Sequence, residues 1–575
     1  MFTKIISFIM AVITSLVGMG SSAFAAAADG VFSSALSLVT ERSAFLEDIT
    51  DEDVSQFDEN SGYIKNMLLV FFEGDASFFD KLSALRKTGG AVVGSMPEAE
   101  LCVVRTSGLN YEKLTALCEE IMLLDAVALA SVCPASRIAE QYTPNDPFTD
   151  YDWYTEYWNE AEPAGNNWWM EATQTRAAWG YDSYFEDIDI GIVDGGFNEL
   201  HEELDGKISF PSAKEARRNN RSYHGTHVAG IIAAKADNGI GISGICQNSE
   251  LICVDWSPSG SQLWIGDVAI FFGFGKVVKA GAKVLNFSLG ASGSLGANQR
   301  SWGSFVQNLD AMLYSCYMSA LLNSGYDFVV VQSAGNGNSE GRAVDASANG
   351  CFCAITEKNT FIPYAKIKPR DLLDRIIIVG SARAENGRYI QADSSNVGDT
   401  VDICAPGVDV YSCSTEGYMS LSGTSMAAPV VTGIASLVWS VDSSLSGADV
   451  KRIVCSNTCD TVVPAPEYYF DSLNTKTYPM VNAKLAVEAA LKNKYDMHTI
   501  GINLGGMSQI KFINENSQEF IFETDASGVT ACLLESGVYS VEVNGETVST
   551  DFTVEGDTRF TAETPEEEET TQADL

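Results

Sequence analysis

The stretch Ile188-Asp-Ile-Gly-Ile-Val-Asp194-Gly-Gly196 decides how the largest part of this sequence is interpreted. It begins as a run of apolar, mostly β-branched residues, which is typical of a strand buried on both faces. The run stops at an aspartate followed by glycines, which favour a turn. The stretch therefore predicts a strand over residues 188–193 with the Asp194 carboxylate at its carboxyl end. An aspartate that merely starts a turn is the alternative.

Short apolar strands alternate with helical stretches along the chain after this point. We predict further strands at residues 251–254, 284–289, 328–332 and 376–379, and helices after His224, over residues 262–279 and after Ser425. Strands in alternation with helices form a parallel sheet with helices on both faces, so the predicted fold class is α/β. Functional residues of such sheets gather beyond the carboxyl ends of the strands, where Asp194 is expected.

Two smaller units flank this α/β region. Residues 66–133 follow the order strand, helix, strand, strand, helix, strand, a βαββαβ pattern typical of a small α+β unit. Residues 492–556 contain short alternating strands and turns such as Asn544-Gly545, which predict a small β-sandwich. Residues 557–575, with Glu566 to Glu569 in a Thr-rich run, are predicted to be a disordered acidic tail.

The amino terminus has the layout of a secretory signal peptide. Lys4 precedes an apolar run from Ile5 to about Val17, and Ala23-Phe24-Ala25 follows. We predict a signal peptide over residues 1–25 and a secreted, extracellular protein, free or associated with the cell surface. The apolar run is shorter than the ~20 residues of a spanning helix. No second run of that length follows, so we expect no transmembrane anchor in the mature chain.

Charge and cysteine content exclude several other classes of protein. The 575 residues include 36 basic and 76 acidic ones, and the resulting net charge of −40 repels phosphate backbones, so we expect no nucleic-acid partner. The 13 cysteines permit disulfides after export, but the sequence does not reveal their pairing. The pairs Cys351/Cys353 and Cys455/Cys459 lack a neighbouring histidine and do not supply the four ligands of a structural zinc site.

Two of the four histidines lie in one segment, Ser222-Tyr-His-Gly-Thr-His-Val-Ala-Gly-Ile-Ile-Ala-Ala234. An imidazole can accept and return a proton near neutral pH. His224 begins the predicted helix directly after a loop, where its ring can protrude, which makes it a candidate general base. His227 lies inside the helix, and we predict that it packs in the core. A zinc pair is disfavoured because metalloprotease helices place two histidines four residues apart with a glutamate between them.

A candidate nucleophile occurs in Gly423-Thr-Ser425-Met-Ala-Ala-Pro429, at the start of a helix of small residues. A serine there can cap the helix. It can also attack a carbonyl group, because the helix N-terminus offers N–H groups to the resulting oxyanion. Attack requires a base, which works best when a buried carboxylate orients it. His224 and Asp194 are the candidates for these two groups.

A fourth candidate follows the strand in Phe328-Val-Val-Val-Gln-Ser-Ala-Gly-Asn336-Gly337. The Asn336 amide can donate a hydrogen bond to a developing oxyanion. An asparagine that only forms a turn is the alternative.

The order Asp194, His224, Asn336, Ser425 on an α/β scaffold, with His-Gly-Thr-His-Val-Ala-Gly and Gly-Thr-Ser-Met-Ala-Ala-Pro, resembles subtilisin-like serine proteases, the subtilases. The resemblance covers roughly residues 143–491. It implies a serine endopeptidase that cleaves polypeptides through an acyl-enzyme, without a cofactor for the chemistry. It implies that Asp194 orients His224, that His224 is the base, that Ser425 is the nucleophile and that Asn336 is an oxyanion donor.

The same resemblance assigns the flanking regions and the substrate contacts. It implies that residues 26–142 are a propeptide that inhibits the enzyme and is removed by autoprocessing, ahead of a peptidase domain over residues 143–491. It also implies substrate-binding residues in two segments: Ser288, Leu289, Gly290 and Ser333, Ala334, Gly335. A long segment, about residues 338–375, intrudes where relatives form part of the primary specificity pocket, so substrate preference stays open.

Two features depart from the family pattern. Gly195 stands where relatives commonly have Ser or Thr after the aspartate. The loop with Asp237, Asn238, Ile240 and Ile242 resembles a family calcium loop but has an altered length and few carboxylates, which leaves structural Ca²⁺ open.

Two other functions remain as alternatives. The fold could serve binding in a catalytically silent surface protein, or the main function could reside in the C-terminal domain, with the protease only processing itself.

Overall fold

The computed structural model describes the greater part of the chain. It covers residues 54–56, 61–74, 76–97, 100–136, 168–211, 223–236, 238, 241–256, 266–290, 300–337, 342–385, 388–465, 476–504, 506, 508–525 and 527–561. The predicted signal peptide and the end of the predicted acidic tail lie outside these residues.

The N-terminal unit is an antiparallel sheet with two helices. In chain order its elements are β1 (Val54–Gln56), β2 (Ser61–Phe72), α1 (Phe78–Lys87), β3 (Ala91–Met96), β4 (Leu101–Arg105), α2 (Tyr111–Ile121) and β5 (Val127–Ser136). From β2 onward this is the expected βαββαβ order. The strands pair in the order β3-β4-β2-β5, and β1 adds to the start of β2. Alternate residues of β2 face the helices and the neighbouring domain, which explains why its run Met67 to Phe72 is apolar throughout.

A ten-stranded sheet forms the centre of the molecule. Its first strands and their helices are β6 (Asp189–Asp194), β7 (Ile208–Ser209), α5 (His224–Ala233), β8 (Glu250–Asp255), α6 (Gly266–Lys279), β9 (Val284–Phe287), α7 (Arg300–Asn323) and β10 (Val329–Ser333), preceded by the short helices α3 (Trp168–Ala172) and α4 (Thr175–Trp179). The pairs β8-β6, β6-β9 and β9-β10 are all parallel. The α/β prediction is confirmed, and β8 and β9 flank β6, so the chain changes direction across the sheet at β6.

The far side of the sheet is mixed, because antiparallel strands complete it. The remaining elements are α8 (Pro369–Leu373), β11 (Ile376–Glu385), β12 (Arg388–Gln391), β13 (Ile403–Pro406), β14 (Val410–Cys413), β15 (Tyr418–Leu421), α9 (Thr424–Val441), α10 (Gly447–Ser456), β16 (Thr458–Val463), β17 (Tyr478–Val481) and α11 (Ala483–Lys494). β11 pairs antiparallel with β12, and β16 with β17. β14 and β15 form a separate hairpin.

Helix α9 is the core helix of the domain, and every one of its 18 residues is buried. It packs on the sheet and against α5 and α11. Among the described residues it is the one helix long and apolar enough to cross a membrane, yet its whole surface lies inside the protein. Its small residues allow close packing; for example, a Cβ on Gly433 would approach Ile245, in the segment between α5 and β8, to 2.6 Å.

Two small sheets follow the ten-stranded sheet along the chain. Their strands are β18 (Met497–Asn503), β19 (Gln509–Asn514), β20 (Glu519–Glu523), β21 (Val529–Glu535), β22 (Gly537–Val543), β23 (Glu546–Val554) and β24 (Thr558–Thr561). The orders are β21-β18-β24 and β20-β19-β22-β23, and Phe512 and Phe560 meet between the sheets at a ring distance of 6.1 Å. Because β24 pairs with β18, the predicted tail boundary at residue 557 was wrong, and the ordered chain continues to Thr561.

The C-terminal unit is joined to the central domain by a buried tyrosine. The Tyr181 hydroxyl donates to Glu488 Oε1 (2.8 Å) and accepts from the backbone N–H of Leu533 (2.9 Å). Its ring stacks edge-on against Phe522 at 5.1 Å. Burial raises the pKa of Tyr181 well above its ordinary value, so the hydroxyl remains a donor at any physiological pH. These contacts make the C-terminal sheets part of the same packed core.

All thirteen cysteines lie in the described part of the chain, where they are thiols rather than disulfides, and eleven are buried. Burial raises the pKa of Cys404 and Cys353, which keeps these thiols protonated and poorly reactive.

Candidate active site

Strand β6 delivers the Asp194 carboxylate to the start of helix α5. Asp194 Oδ1 lies 2.5 Å from His224 Nδ1 and also accepts from the backbone N–H of Gly195 at 2.6 Å. Asp194 is 2% exposed, and its Oδ2 atom has no hydrogen-bond partner among the described residues. An ionised carboxylate only accepts hydrogen bonds, so Nδ1 of His224 carries the hydrogen and Nε2 presents its lone pair.

His227 lies one turn further along α5 and is completely buried. Its Nε2 atom lies 3.1 Å from Val410 O and 3.2 Å from Met419 O, one carbonyl from each strand of the β14-β15 hairpin. Both partners are acceptors, so Nε2 carries the hydrogen. Burial, with a smaller contribution from the nearby His224, lowers the pKa of His227 to about 3. His227 is therefore a neutral residue that fastens the hairpin to α5, in agreement with the packing role expected for it.

The depressed pKa of His227 predicts a pH-dependent stability. Because the folded pKa is below the unfolded value of about 6.5, the unfolded chain binds the extra proton between these two values, and acidification favours unfolding. We expect His227 to cost the protein about 1.4 kcal/mol of unfolding free energy per pH unit in that window. In urea denaturation, the stability difference between the parent and His227→Gln should change with this slope between pH 6 and pH 4. Parallel curves for the two proteins would contradict the prediction. Both proteins should carry the same Ser425→Ala change, which removes the candidate nucleophile.

Helix α9 places Ser425 at its first turn, directly after Gly423 and Thr424. The Ser425 hydroxyl donates to the backbone oxygen of Ser288 (3.2 Å), and Ser288 Oγ donates in return to the Ser425 carbonyl (2.7 Å). That carbonyl is accessible to Ser288 because Pro429, four residues further along the helix, has no N–H to donate to it. The proline within the helix thus leaves the Ser425 carbonyl available to accept the hydrogen bond that holds Ser425 at the end of strand β9.

The Asn336 amide is oriented by the start of α9. Its Oδ1 atom accepts from the backbone N–H of Thr424 (2.8 Å) and from the Thr424 hydroxyl (2.9 Å). Since the oxygen of the amide faces these donors, the Nδ2 group is turned away from them. A Cβ on Gly423 would lie 3.2 Å from Asn336 Nδ2, so this donor group lies beside the turn that leads into Ser425.

Several positioning residues were not found from the sequence. Thr432 Oγ1 donates to Asn286 Oδ1 (2.9 Å), and Asn286 Nδ2 donates to Ser288 Oγ (3.0 Å), which extends the network at Ser425 into the core. Asn396 Nδ2 donates to Ala334 O (2.8 Å), and Asn396 N donates to Gly335 O (2.9 Å). The only sequence signal for such residues is an amide or hydroxyl in an apolar segment, which Asn286 shows and Asn396 does not.

The structure brings the predicted residues to one edge of the sheet. Asp194, Ser288 and Asn336 all lie at or just beyond the carboxyl ends of β6, β9 and β10, and Ser425 is held against Ser288. The remaining substrate-binding candidates belong to the two segments that continue from β9 and β10. They are Leu289 and Gly290 in the first segment and Ser333, Ala334 and Gly335 in the second. His201 and His498 contact Gly417 O and Ser536 Oγ, respectively, and His498 lies in the C-terminal sheets.

A steric contact bears on why a glycine, rather than Ser or Thr, occupies position 195. A Cβ at this position would lie 3.2 Å from the Trp256 ring, a tight contact that a side chain could make only if the indole shifted by a few tenths of an ångström. The indole of Trp256 therefore takes up space that a Ser or Thr side chain would need.

The described part of the candidate calcium loop does not fit a cation. The buried Glu203 carboxylate accepts from Asn238 Nδ2 (2.7 Å), the Ile242 N–H (2.9 Å) and the Tyr418 hydroxyl (3.0 Å). A Cβ on Gly241 would lie within 2.1 Å of Glu203 Oε1, so these groups fill the loop. Calcium needs six to eight oxygen ligands, whereas Asn238 and Ile242 of this loop direct N–H donors toward Glu203. Asp237 and Ile240 lie outside the described residues.

Comparison with known proteins identifies the family. Residues 186–489 match the family model described as "Subtilase family". The chain belongs to the subtilase family. It is 26% identical to the thermophilic serine proteinase of Bacillus sp. (strain AK1) over 75% of this chain and 92% of the relative. It is 30% identical to thermitase of Thermoactinomyces vulgaris over 57% of this chain and 95% of that protein, and 33% identical to subtilisin DY of Bacillus licheniformis over 47% and 82%.

The fold comparison extends beyond the peptidase domain. The protein is similar in structure to fervidolysin from Fervidobacterium pennivorans, a keratinolytic enzyme related to subtilisin. The match covers 88% of this chain and 79% of fervidolysin, with a TM-score of 0.52 and 18% sequence identity. This likeness concerns the fold. The subtilase match and the similarity to these proteinases make the protein a subtilisin-like serine endopeptidase, which acts on polypeptides.

Proposed function

We propose that this subtilase hydrolyses peptide bonds with Ser425 as nucleophile, His224 as general base and acid, and Asp194 as the carboxylate that orients His224. The observation that carries this assignment is the 2.5 Å contact between Asp194 Oδ1 and His224 Nδ1 at the edge of the sheet that also holds Ser425. It makes Nε2 the basic atom of His224, the form that accepts a serine proton.

The proposed reaction uses groups of this chain alone. His224 Nε2 takes the proton of Ser425 Oγ as the oxygen attacks the scissile carbonyl, and Asn336 Nδ2 with the Ser425 N–H stabilises the oxyanion. Protonated His224 then gives the proton to the leaving amine, and water hydrolyses the acyl-enzyme by the same steps. The buried Asp194 carboxylate stabilises the imidazolium that forms in between.

We also propose that the protein is exported and that its N-terminal unit is a propeptide. The apolar run at the N-terminus supports export, and contacts with the catalytic domain support the second role. Phe71 of the N-terminal unit meets Phe271 of α6 edge-on at 6.1 Å, and Tyr317 of α7 donates to Met96 Sδ at 2.7 Å. An inhibitor must remain bound after cleavage, and a buried apolar interface of this kind provides the affinity.

A covalent label tests the proposed nucleophile. The full chain is treated with a fluorophosphonate, which reacts with activated serines, and the adduct is located by mass spectrometry. We expect one adduct, on Ser425, and hydrolysis of a denatured protein that EDTA does not slow. An adduct elsewhere, or none on a folded chain, would contradict the proposal.

The mass of the exported product tests the proposed processing, since residues 1–142 should be missing from it.

Asn336 gives the first prediction on rate. Asn336→Leu removes the oxyanion donor, and we expect kcat to fall by about 10² to 10³ while KM changes by less than about threefold. The matched control is Asn457→Ala, since Asn457 only bonds Ile453 O at the end of α10. An equal loss in the control, or a loss confined to KM, would show that Asn336 does not act in the transition state.

A further inference from the structure

The slot between the two substrate-binding segments is formed by glycines. Strands β9 and β10 are neighbours in the sheet, and Phe287 and Gln332 are their last paired residues. Beyond this pair the segments 288–290 and 333–336 continue past the sheet edge. Gly290 lies on one side of the gap and Gly335 on the other. Because neither has a Cβ, a flat group can lie between them.

A substrate bound at Ser425 directs a side chain toward this slot. Ser425 Oγ lies 3.2 Å from Ser288 O in the first segment, and Asn336 ends the second. A carbonyl group attacked by Ser425, with its oxygen toward Asn336 Nδ2, therefore lies between the two segments. The residue that supplies this carbonyl has its side chain adjacent to the slot.

In this protein the slot is filled by the Asn349 carboxamide. A Cβ on Gly290 would lie 2.2 Å from both Nδ2 and Oδ1 of Asn349, and a Cβ on Gly335 would lie 2.7 Å from Oδ1. The amide is therefore in contact with both glycines. Its Nδ2 group donates to Ser333 O (2.8 Å) and lies 3.5 Å from Leu289 O, one carbonyl from each segment. Asn349 is 4% exposed.

The segment that carries Asn349 is held firmly beneath the slot. Asn349 ends the 3₁₀ turn Ala346–Asn349, whose first residues are capped by Asp345. Gln332 Oε1 accepts from the N–H groups of Phe352 (2.9 Å) and Cys353 (3.2 Å). The Phe352 ring is buried against Phe287 at 5.1 Å. A ligand would have to displace a buried, hydrogen-bonded amide from a rigid segment to enter.

We infer that Asn349 restricts the enzyme to substrates with a small residue, namely glycine, alanine or serine, on the carbonyl side of the cleaved bond. This inference rests on the proposed function of Ser425 and specifies its substrate class. A bulky aromatic residue finds the slot occupied, and the loss of its favourable burial adds to the steric cost.

The test compares two peptide p-nitroanilides, succinyl-Ala-Ala-Pro-Ala and succinyl-Ala-Ala-Pro-Phe, on the full chain. For the parent we expect kcat/KM to favour the alanine substrate by about 100-fold. Asn349→Gly empties the slot, and the ratio of kcat/KM for the phenylalanine substrate to kcat/KM for the alanine substrate should rise at least about tenfold. Asn349→Leu is the matched control, since it keeps the slot filled without the hydrogen bond and should retain the preference for alanine.

Two results would overturn the inference. The parent could cleave both substrates equally, or Asn349→Gly could leave the ratio unchanged. Should Asn349→Gly fail to fold, the parent enzyme is used to digest a denatured protein and the cleavage points are mapped. Large residues on the carbonyl side of the cleaved bonds would refute the inference. Hydrolysis without this preference counts against Asn349 alone. A parent that neither hydrolyses peptides nor labels at Ser425 counts against the proposed function.

Discussion

Replacing Ser425 by alanine should reduce kcat for peptide hydrolysis by about 10⁶, the loss measured for the equivalent change in subtilisin, a member of the same family. In the proposed reaction the hydroxyl oxygen forms the acyl-enzyme, and no other described group takes its place at the edge of the sheet. The fold should survive, because Ser425 also bonds through its backbone carbonyl, which the variant keeps. The measurement is kcat on a peptide p-nitroanilide together with the thermal unfolding temperature.

The control for this variant lies on the same helix. Ser436→Ala removes a buried hydroxyl that donates to Thr432 O within α9 and touches no candidate catalytic group. It should keep its activity within about threefold per active molecule. Residual activity of Ser425→Ala near the parent level would refute the assignment of the nucleophile. If Ser425→Ala is also secreted with residues 26–142 still attached, the processing is autocatalytic.

Asp194→Asn is expected to have the second largest effect, a loss of about 10⁴ in kcat. An asparagine in this position can turn its NH₂ group toward His224 Nδ1. Nδ1 would then have to accept, the hydrogen would move to Nε2, and His224 could no longer take the serine proton. The shape of the site is preserved, so unfolding should change little. Rates on the same peptide and an unfolding curve measure both expectations.

Asp189→Asn serves as the control for charge. Asp189 lies at the opposite, exposed end of the same strand β6, so the substitution removes one carboxylate without touching the site. It should leave kcat within about threefold. If Asp194→Asn loses no more activity than this control, Asp194 does not orient the base.

Much of the architecture could be predicted because local patterns were strong. The apolar run before Asp194 indicated its strand within one residue of the observed bounds, and the glycine-rich helix begins at His224, as predicted. Elements were missed where pairing partners are distant in sequence. Strand β12 pairs in parallel with β16, and the last strand β24 pairs in parallel with β18, in each case across a long stretch of chain. The sequences of β12, β16 and β24 are themselves too polar to indicate a strand.

For the candidate site, the sequence could identify residue types but not their contacts. It pointed to Asp194, His224, Ser425 and Asn336 because carboxylate, imidazole, hydroxyl and amide each stood at the end of a predicted element. It could not indicate Asn349 or Asn396, since an asparagine in an irregular segment is common and its partners lie in other segments of the chain. Only the structure shows that Asn349 bonds to Ser333 and lies between Gly290 and Gly335.

The sequence by itself determined the α/β order of elements, the separation of His224 from His227 in role, and the family to which the chain belongs. These depend on periodicity and short motifs, which are local properties of the chain. The tertiary structure alone decided that Asp194 meets His224, that Pro429 leaves the Ser425 carbonyl to Ser288, and that Asn349 fills the slot. Such contacts depend on where distant segments come together when the core packs, and no local pattern encodes that distance.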